Sequence, residues 1–162
     1  MEVNLKELNK FLGRASVATY AGGGPEMDPT EPGFKDLEYK EGNWRYKDSY
    51  TGFFQSWGIE TVWFKEKPLW TQVYGGGMEK KYHKNEKFAR ETFSFLKKAL
   101  SEGEKQKSFQ PRGPKKFSNR DWGYSCKVSG NIERFQGREE IKYKKKIVFL
   151  HIFVGGLVVS QK

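Results

Sequence analysis

The chain has 162 residues, 30 basic against 20 acidic side chains, and a net charge of +10. Its 13 Phe, 8 Tyr and 5 Trp supply large apolar area although hydrophobic residues make up only 36 %, which argues against a disordered chain. One domain over 1–162 is the expectation at this length, and a single cysteine, Cys126, excludes an internal disulfide or a multi-thiolate metal site.

In chain order, the start Met1-Glu2-Val3-Asn4-Leu5-Lys6-Glu7 is acidic and lacks an apolar stretch, so it is not read as a signal peptide. A short N-terminal helix is expected over 4–12, capped by Asn4, with Leu5, Leu8, Phe11 and Leu12 on one face. The Gly/Pro-rich stretch from Tyr20 to Gly33 reads as loop. A hairpin is expected from Leu37 to Tyr46, turning at Gly42-Asn43. A second runs from Ile59 to Tyr74, turning near Lys65-Glu66-Lys67-Pro68 and ending at Gly75-Gly76-Gly77. The clearest helix spans 85–101, capped by Asn85 and stopped by Gly103. Its buried face is read as Phe88, Ala89, Thr92, Phe93, Leu96, Ala99 and Leu100. A lysine-rich loop follows to Asn119. The longest apolar run, Ile147 to Val159, is interrupted by His151 and Gly155-Gly156 and is too short for a membrane-spanning helix of about 20 residues. No membrane partner and a cytoplasmic location are therefore expected.

The last third echoes the first. Gly58–Gly77 aligns without gaps on Gly137–Gly156, with identities Glu60/Glu139, Lys65/Lys144, Lys67/Lys146, Gly76/Gly155 and Gly77/Gly156. Gly-Asn turns precede both blocks, at Gly42-Asn43 and Gly130-Asn131. Two similar multi-strand units, about 37–77 and 124–156, linked by the helix 85–101, are the expectation. The fold class is then α+β: a curved antiparallel sheet or open barrel of six to eight strands, packed by the central helix and the short N-terminal one. The strand 147–154, apolar on both faces, should be central and covered on both sides.

Several segments carry a resemblance: Ala18-Thr-Tyr-Ala-Gly-Gly-Gly24, Pro32-Gly33 with Asp36-Leu-Glu-Tyr39, Tyr46-Lys-Asp-Ser-Tyr50, Glu60-Thr-Val-Trp63, Arg112-Gly-Pro114, Cys126-Lys-Val-Ser-Gly130 and Phe135-Gln-Gly-Arg-Glu-Glu-Ile141. In this order they resemble a prokaryotic family of domains of unknown function, found alone or behind helix-turn-helix (XRE-type) regulators. The resemblance runs from about 11 to 156. It implies a sensor or partner-binding role and carries no active site with it. Where that family's final motif has a histidine before Gly-Gly, this chain has Val154, with His151 three residues earlier.

The excess charge is one-sided. Residues 1–77 sum to −2 and residues 78–162 to +12. The candidates for an anion-binding surface are Lys87, Arg90, Lys97, Lys98, Arg112, Lys115 and Lys116. A solvated lysine-rich surface accounts for the same pattern, and lysine outnumbers arginine, the better phosphate clamp. Gly22–Gly24 and Gly75–Gly77 lack the following helix and Lys-Ser/Thr that a phosphate loop needs. His83 and His151 have no ligand partner at a metal-site spacing, so no metal and no cofactor is expected. Cys126 alternates with Tyr124 and Val128, as a buried structural thiol would, and should react slowly in the native protein. Glu139 and Glu140 are adjacent in a strand and face opposite sides; Asp36 and Glu38 are further carboxylates.

One constellation stands out. Trp70-Gln72-Tyr74 and Phe149-His151-Phe153 each place a hydrogen-bonding group between two aromatics on one strand face. The six are the ligand-pocket candidates, against the alternative of a core with two satisfied polar groups. Three functions follow in order: a module that senses a small molecule or binds a protein partner, a nucleic-acid-binding protein using 78–162, and an enzyme of unknown reaction.

Overall fold

The computed structural model describes residues 4–160; the first three residues of the N-terminal stretch read for targeting lie outside them. Helix α1 runs Leu5–Ala18, capped by the Asn4 side chain, which accepts from the Lys6 amide. It continues past the expected end at 12, because Ala15 extends the buried face of Leu8 and Phe11 by one more turn. Strands β1 (Phe34–Glu41), β2 (Trp44–Gly52), β3 (Gln55–Phe64) and β4 (Lys67–Met78) follow, then a 3-10 turn at Lys80–Tyr82. Helix α2 (Glu86–Glu104) precedes β5 (Lys116–Asn119), β6 (Trp122–Asn131), β7 (Arg134–Tyr143) and β8 (Lys146–Leu157).

All neighbours are antiparallel in one open eight-stranded sheet of order β1-β2-β3-β4-β8-β7-β6-β5. Each four-strand run is a meander of sequential hairpins, and the two runs meet at β4 and β8. The hairpins turn where the sequence indicates, at Gly42-Asn43 and at Lys65-Glu66. Lys65 and Glu66 have φ of 49° and 60°, and Lys144 and Lys145 have φ of 46° and 66°. Positive φ at both central residues gives the tight-turn twist that continues into right-twisted strands. The hairpins 55–78 and 134–157 match in strand length, turn position and the bulge, which falls after Val62 in one and after Ile141 in the other.

Both helices lie on one sheet face. Phe11 of α1 stacks on Tyr39 and Trp44, and Phe95 of α2 stacks on Phe117 and Trp122. Asn85 caps α2 as expected, accepting from the Phe88 amide. Gly103 lies inside this helix rather than stopping it, buried where the backbone of Arg112 and Gly113 passes. Phe95 joins the buried face, while Phe88 and Phe93 are half-buried. Gly75–Gly77 do not end the hairpin either. They pair with Ile152, His151 and Leu150 of β8, so β4 runs on to Met78.

The other sheet face is covered at its β1 edge, where the Met27–Thr30 segment lies over Asp36, but not over the central strands. Strand β8 is central, but Ile152 and Val154 are exposed on it, beside Val73 of β4 and Trp57 and Ile59 of β3. Both helices pack on the opposite side, so the expectation that 147–154 is covered on both faces fails.

Candidate functional site

Alternation along the strands sends Asp48, Glu60, Gln72, Tyr74, Tyr124, Glu139 and His151 to the helix-covered face. The registers Asp48↔Glu60, Glu60↔Gln72 and Glu139↔His151 then bring neighbouring strands' polar groups side by side. Into the middle of them the loop after α2 inserts Arg112. Its guanidinium lies 2.9 Å from Glu60 and 2.9 Å from Glu139, the two glutamates that the sequence alignment pairs. It also stacks 4.6 Å above the Tyr74 ring.

The remaining lone pairs and protons are largely matched. Gln72 Nε2 donates to Glu60 at 2.7 Å and to the Pro111 carbonyl at 3.1 Å. Tyr124 donates to Glu139 at 2.7 Å, and its oxygen accepts from the Gly113 amide. Tyr74 donates to Asp48 at 2.9 Å. His151 Nδ1 lies 3.1 Å from Glu139, and its Nε2 lies 3.4 Å from Ser56 Oγ. One atom is left out: Gln72 Oε1 is buried with no partner among the described residues.

Burial and charge separate the protonation states. Burial alone would raise Glu139, but Arg112, His151 and Tyr124 outweigh it and hold its pKa at about 2. Burial pushes Asp48 up to about 8, and the Glu60 charge adds to this, so Asp48 carries its proton at neutral pH. Glu60 is raised by burial against Arg112, Gln72 and Tyr46. Burial lowers His151 in spite of Glu139, which makes the neutral imidazole its resting form. Arg112 stays charged, since the two glutamates override its desolvation.

Above this floor, between the helices and the sheet, lies a cavity of about 530 Å³. Tyr46, Asp48, Tyr50, Ser56, Glu60, Trp70, Tyr74, Arg112 and His151 line its sheet side, and Tyr20 and Ser16 its α1 side. Lys6 and Lys10 of α1 and Lys107 after α2 also belong to its wall.

Of the six pocket candidates, Trp70, Tyr74 and His151 line this cavity. Gln72, Phe149 and Phe153 do not; they are core, 0–1 % exposed. Trp70 stacks on Phe135 and donates from Nε1 to the Ile132 carbonyl. Of the anion-surface candidates, Arg112 is not on the surface: its side chain is only 7 % exposed and bound to two glutamates. Arg90 pairs with Glu86 and covers Phe53, and Lys97 sits over Tyr20. Lys87, Lys98, Lys115 and Lys116 are exposed.

The other candidates fall outside the cavity. Asp36 is held by Lys47 and Glu38 by Arg45 on the opposite sheet face. Glu140, pointing away from Glu139, pairs with Arg138. His83 bonds the Met78 carbonyl, and the described residues contain no cluster of three or more groups suited to a metal ion. Cys126 is buried, and burial with the Glu139 charge pushes its thiol up to about 12, away from the thiolate a reactive cysteine needs. Sequence reasoning missed Asp48, Glu60, Tyr124 and Ser56 as site residues; the Glu60/Glu139 identity was the available signal.

Residues 48–158 match the domain of unknown function DUF5680. The chain belongs to this family. The matched span of the DUF5680 domain begins at Asp48 and takes in β3–β8, α2, Arg112 and His151, whereas α1 and β1 precede it. The whole charged floor therefore lies within the family's own span, and α1 supplies one wall of the cavity from outside it. No curated protein and no solved structure matches the chain. Among the described residues, no helix is long and apolar enough to cross a membrane.

Proposed function

We propose that this DUF5680 domain is a small-molecule-binding module whose ligand occupies the cavity between the helices and the sheet. The carrying observation is the composition of that cavity's floor. Convergent polar groups (Asp48, Arg112, His151) stand among aromatic walls (Trp70, Tyr74, Tyr20, Tyr50), the usual make-up of a ligand site. A purely structural core of this size is better built from apolar side chains, because each buried charge carries a desolvation cost. Asp48 as a neutral acid offers a hydrogen-bond donor, while Lys6, Lys10 and Lys107 favour a ligand carrying negative charge. An aromatic or otherwise flat anion meets both requirements.

The sensing role implied by the resemblance belongs to this reading, as does the descent of 37–77 and 124–156 from one repeated unit. The matched hairpins and the shared Arg112 support the latter. On this reading the binding site lies over the first unit, with His151 reaching it from the second.

Native mass spectrometry of the purified protein tests for a retained ligand. Titration with 8-anilinonaphthalene-1-sulfonate, an aromatic anion, tests the empty cavity. Ser16→Trp, which fills the cavity from α1, should abolish the saturable signal; Ile152→Glu, on the exposed sheet face, should leave it. Loss in the second variant but not the first would place binding on the outer face and overturn the proposal.

A further inference from the structure

Ser56, His151 and Glu139 form a chain that a binding site does not need. Ser56 Oγ is 3.4 Å from His151 Nε2, and His151 Nδ1 is 3.1 Å from Glu139 Oε1. Ser56 and His151 face the cavity, and Glu139 is fully buried behind them. We propose that these three are the nucleophile, general base and orienting carboxylate of an ester-cleaving (acyl-transfer) activity. The proposal rests on the cavity being a ligand site.

The sheet explains how a serine and a histidine two strands apart come together. In the register, Ser56 of β3 lies opposite Gly76 of β4, and Gly76 lies opposite His151 of β8. No side chain at 76 stands between them. Gly76 has φ of 131°, and a Cβ there would lie 2.2 Å from the Leu150 carbonyl oxygen, so no other residue fits without strain.

The electrostatics select the tautomer. Glu139 is ionised and accepts from Arg112 and Tyr124, which fixes its carboxylate; it then holds the proton of the neutral imidazole on Nδ1. The Nε2 lone pair is left facing the Ser56 hydroxyl, the arrangement a serine nucleophile requires. A contact of 3.4 Å is loose, as such contacts commonly are before substrate binds.

The step balances without a redox partner. Ser56 Oγ attacks the ester carbonyl carbon while its proton passes to His151 Nε2, and Glu139 stabilises the imidazolium. The tetrahedral adduct collapses with loss of the alcohol, which takes the proton from Nε2. Water then attacks the acyl-serine, gives a proton to His151, and releases the acid as Oγ is reprotonated. Tyr20 and Tyr50, which line the same cavity and whose phenols burial keeps protonated, are available to it as hydrogen-bond donors. Substrates are expected to be aryl esters carrying an anionic group.

The test uses an alkyl fluorophosphonate on the full chain, with adduct mapping by mass spectrometry and p-nitrophenyl acetate turnover in parallel. Wild type should be modified at Ser56, and Ser56→Ala should lose the adduct and slow turnover at least about 100-fold. The modification rate should rise with pH through a midpoint below the ordinary histidine value, since His151 is lowered. Absent modification, or equal rates in Ser56→Ala, with anilinonaphthalene sulfonate still bound in the cavity, overturns the triad and leaves the binding reading standing. If the sulfonate does not bind the cavity either, both fall.

Discussion

Replacing Arg112 by methionine keeps most of the side-chain volume but removes the guanidinium that holds Glu60 and Glu139. At an effective dielectric of about 20, each close pair is worth about 4 kcal/mol of attraction, against several kcal/mol for desolvating the guanidinium. Loss of one partner from a buried pair leaves the other charge uncompensated, so the expected net destabilisation is about 3–5 kcal/mol. At this size that lowers Tm by roughly 6–20 °C. Urea unfolding at pH 7.5 and at pH 4.5 reads the effect and its pH dependence.

The sign of that dependence follows from Glu139. In the wild type its folded pKa of about 2 lies below its ordinary 4.5, so its stabilisation is full above pH 4.5 and is lost as pH falls towards 2. In Arg112→Met the same buried carboxyl has no cation, its folded pKa rises above 4.5, and its penalty grows as pH increases. The gap between variant and wild type should therefore be widest at pH 7.5 and narrow towards pH 4.5. Adding Glu60→Gln and Glu139→Gln to Arg112→Met should recover much of the loss, because no buried charge remains unpaired. A single variant as stable as wild type at pH 7.5, or a gap that ignores pH, would refute the charged floor.

Two further outcomes follow from the same groups. Asp48, raised from 3.8 to about 8, makes a contribution that is full below pH 3.8 and is lost as pH rises through 8, so it pulls wild-type Tm down over that window, against the opposite slope of the lowered His151 below pH 6.5. Asp48→Asn should flatten the fall, as melts at pH 5 and pH 8.5 would show. Gln72→Leu leaves a Glu60 oxygen and the Pro111 carbonyl without their donor, at a cost of about 1–3 kcal/mol by urea unfolding. An unchanged or raised stability would show that the unpartnered Gln72 Oε1 costs more than the two bonds return.

The strands and turns were legible because their signals are local. Two-residue alternation, Gly42-Asn43 and the Asn85 cap all act within a few residues. The site was legible only in part, for reasons of distance. Arg112 reads as one more cation in a basic half, and only the three-dimensional return of its loop to the sheet reveals two glutamates waiting for it. Ser56 carries no motif; its pairing with His151 depends on register across β4. Of the six residues on the aromatic–polar–aromatic strand faces three line the cavity and three are core, because alternation fixes a side chain's sheet face and not its depth. Gln72 and His151 occupy aligned positions, yet one is sealed beneath Pro111 and the other meets the cavity.

That difference bears on what the floor is for. The two halves offer the same framework, a glutamate bonded to the polar group opposite it on the next strand, and Arg112 bridges both. The asymmetry lies in what each glutamate holds. Glu60 has an amide donor that does not titrate and is itself raised; Glu139 has an imidazole and is driven to full ionisation. A structural clamp would gain nothing from that inequality, since a second Gln–Glu pair would anchor the arginine as well. An ionised carboxylate behind a neutral histidine, with a neutral aspartic acid on the same wall, instead sets one acceptor and one donor of different acidity facing a single cavity. On the binding proposal, separated proton affinities at one surface would orient a bound molecule over the wall that Asp48, Arg112 and His151 share.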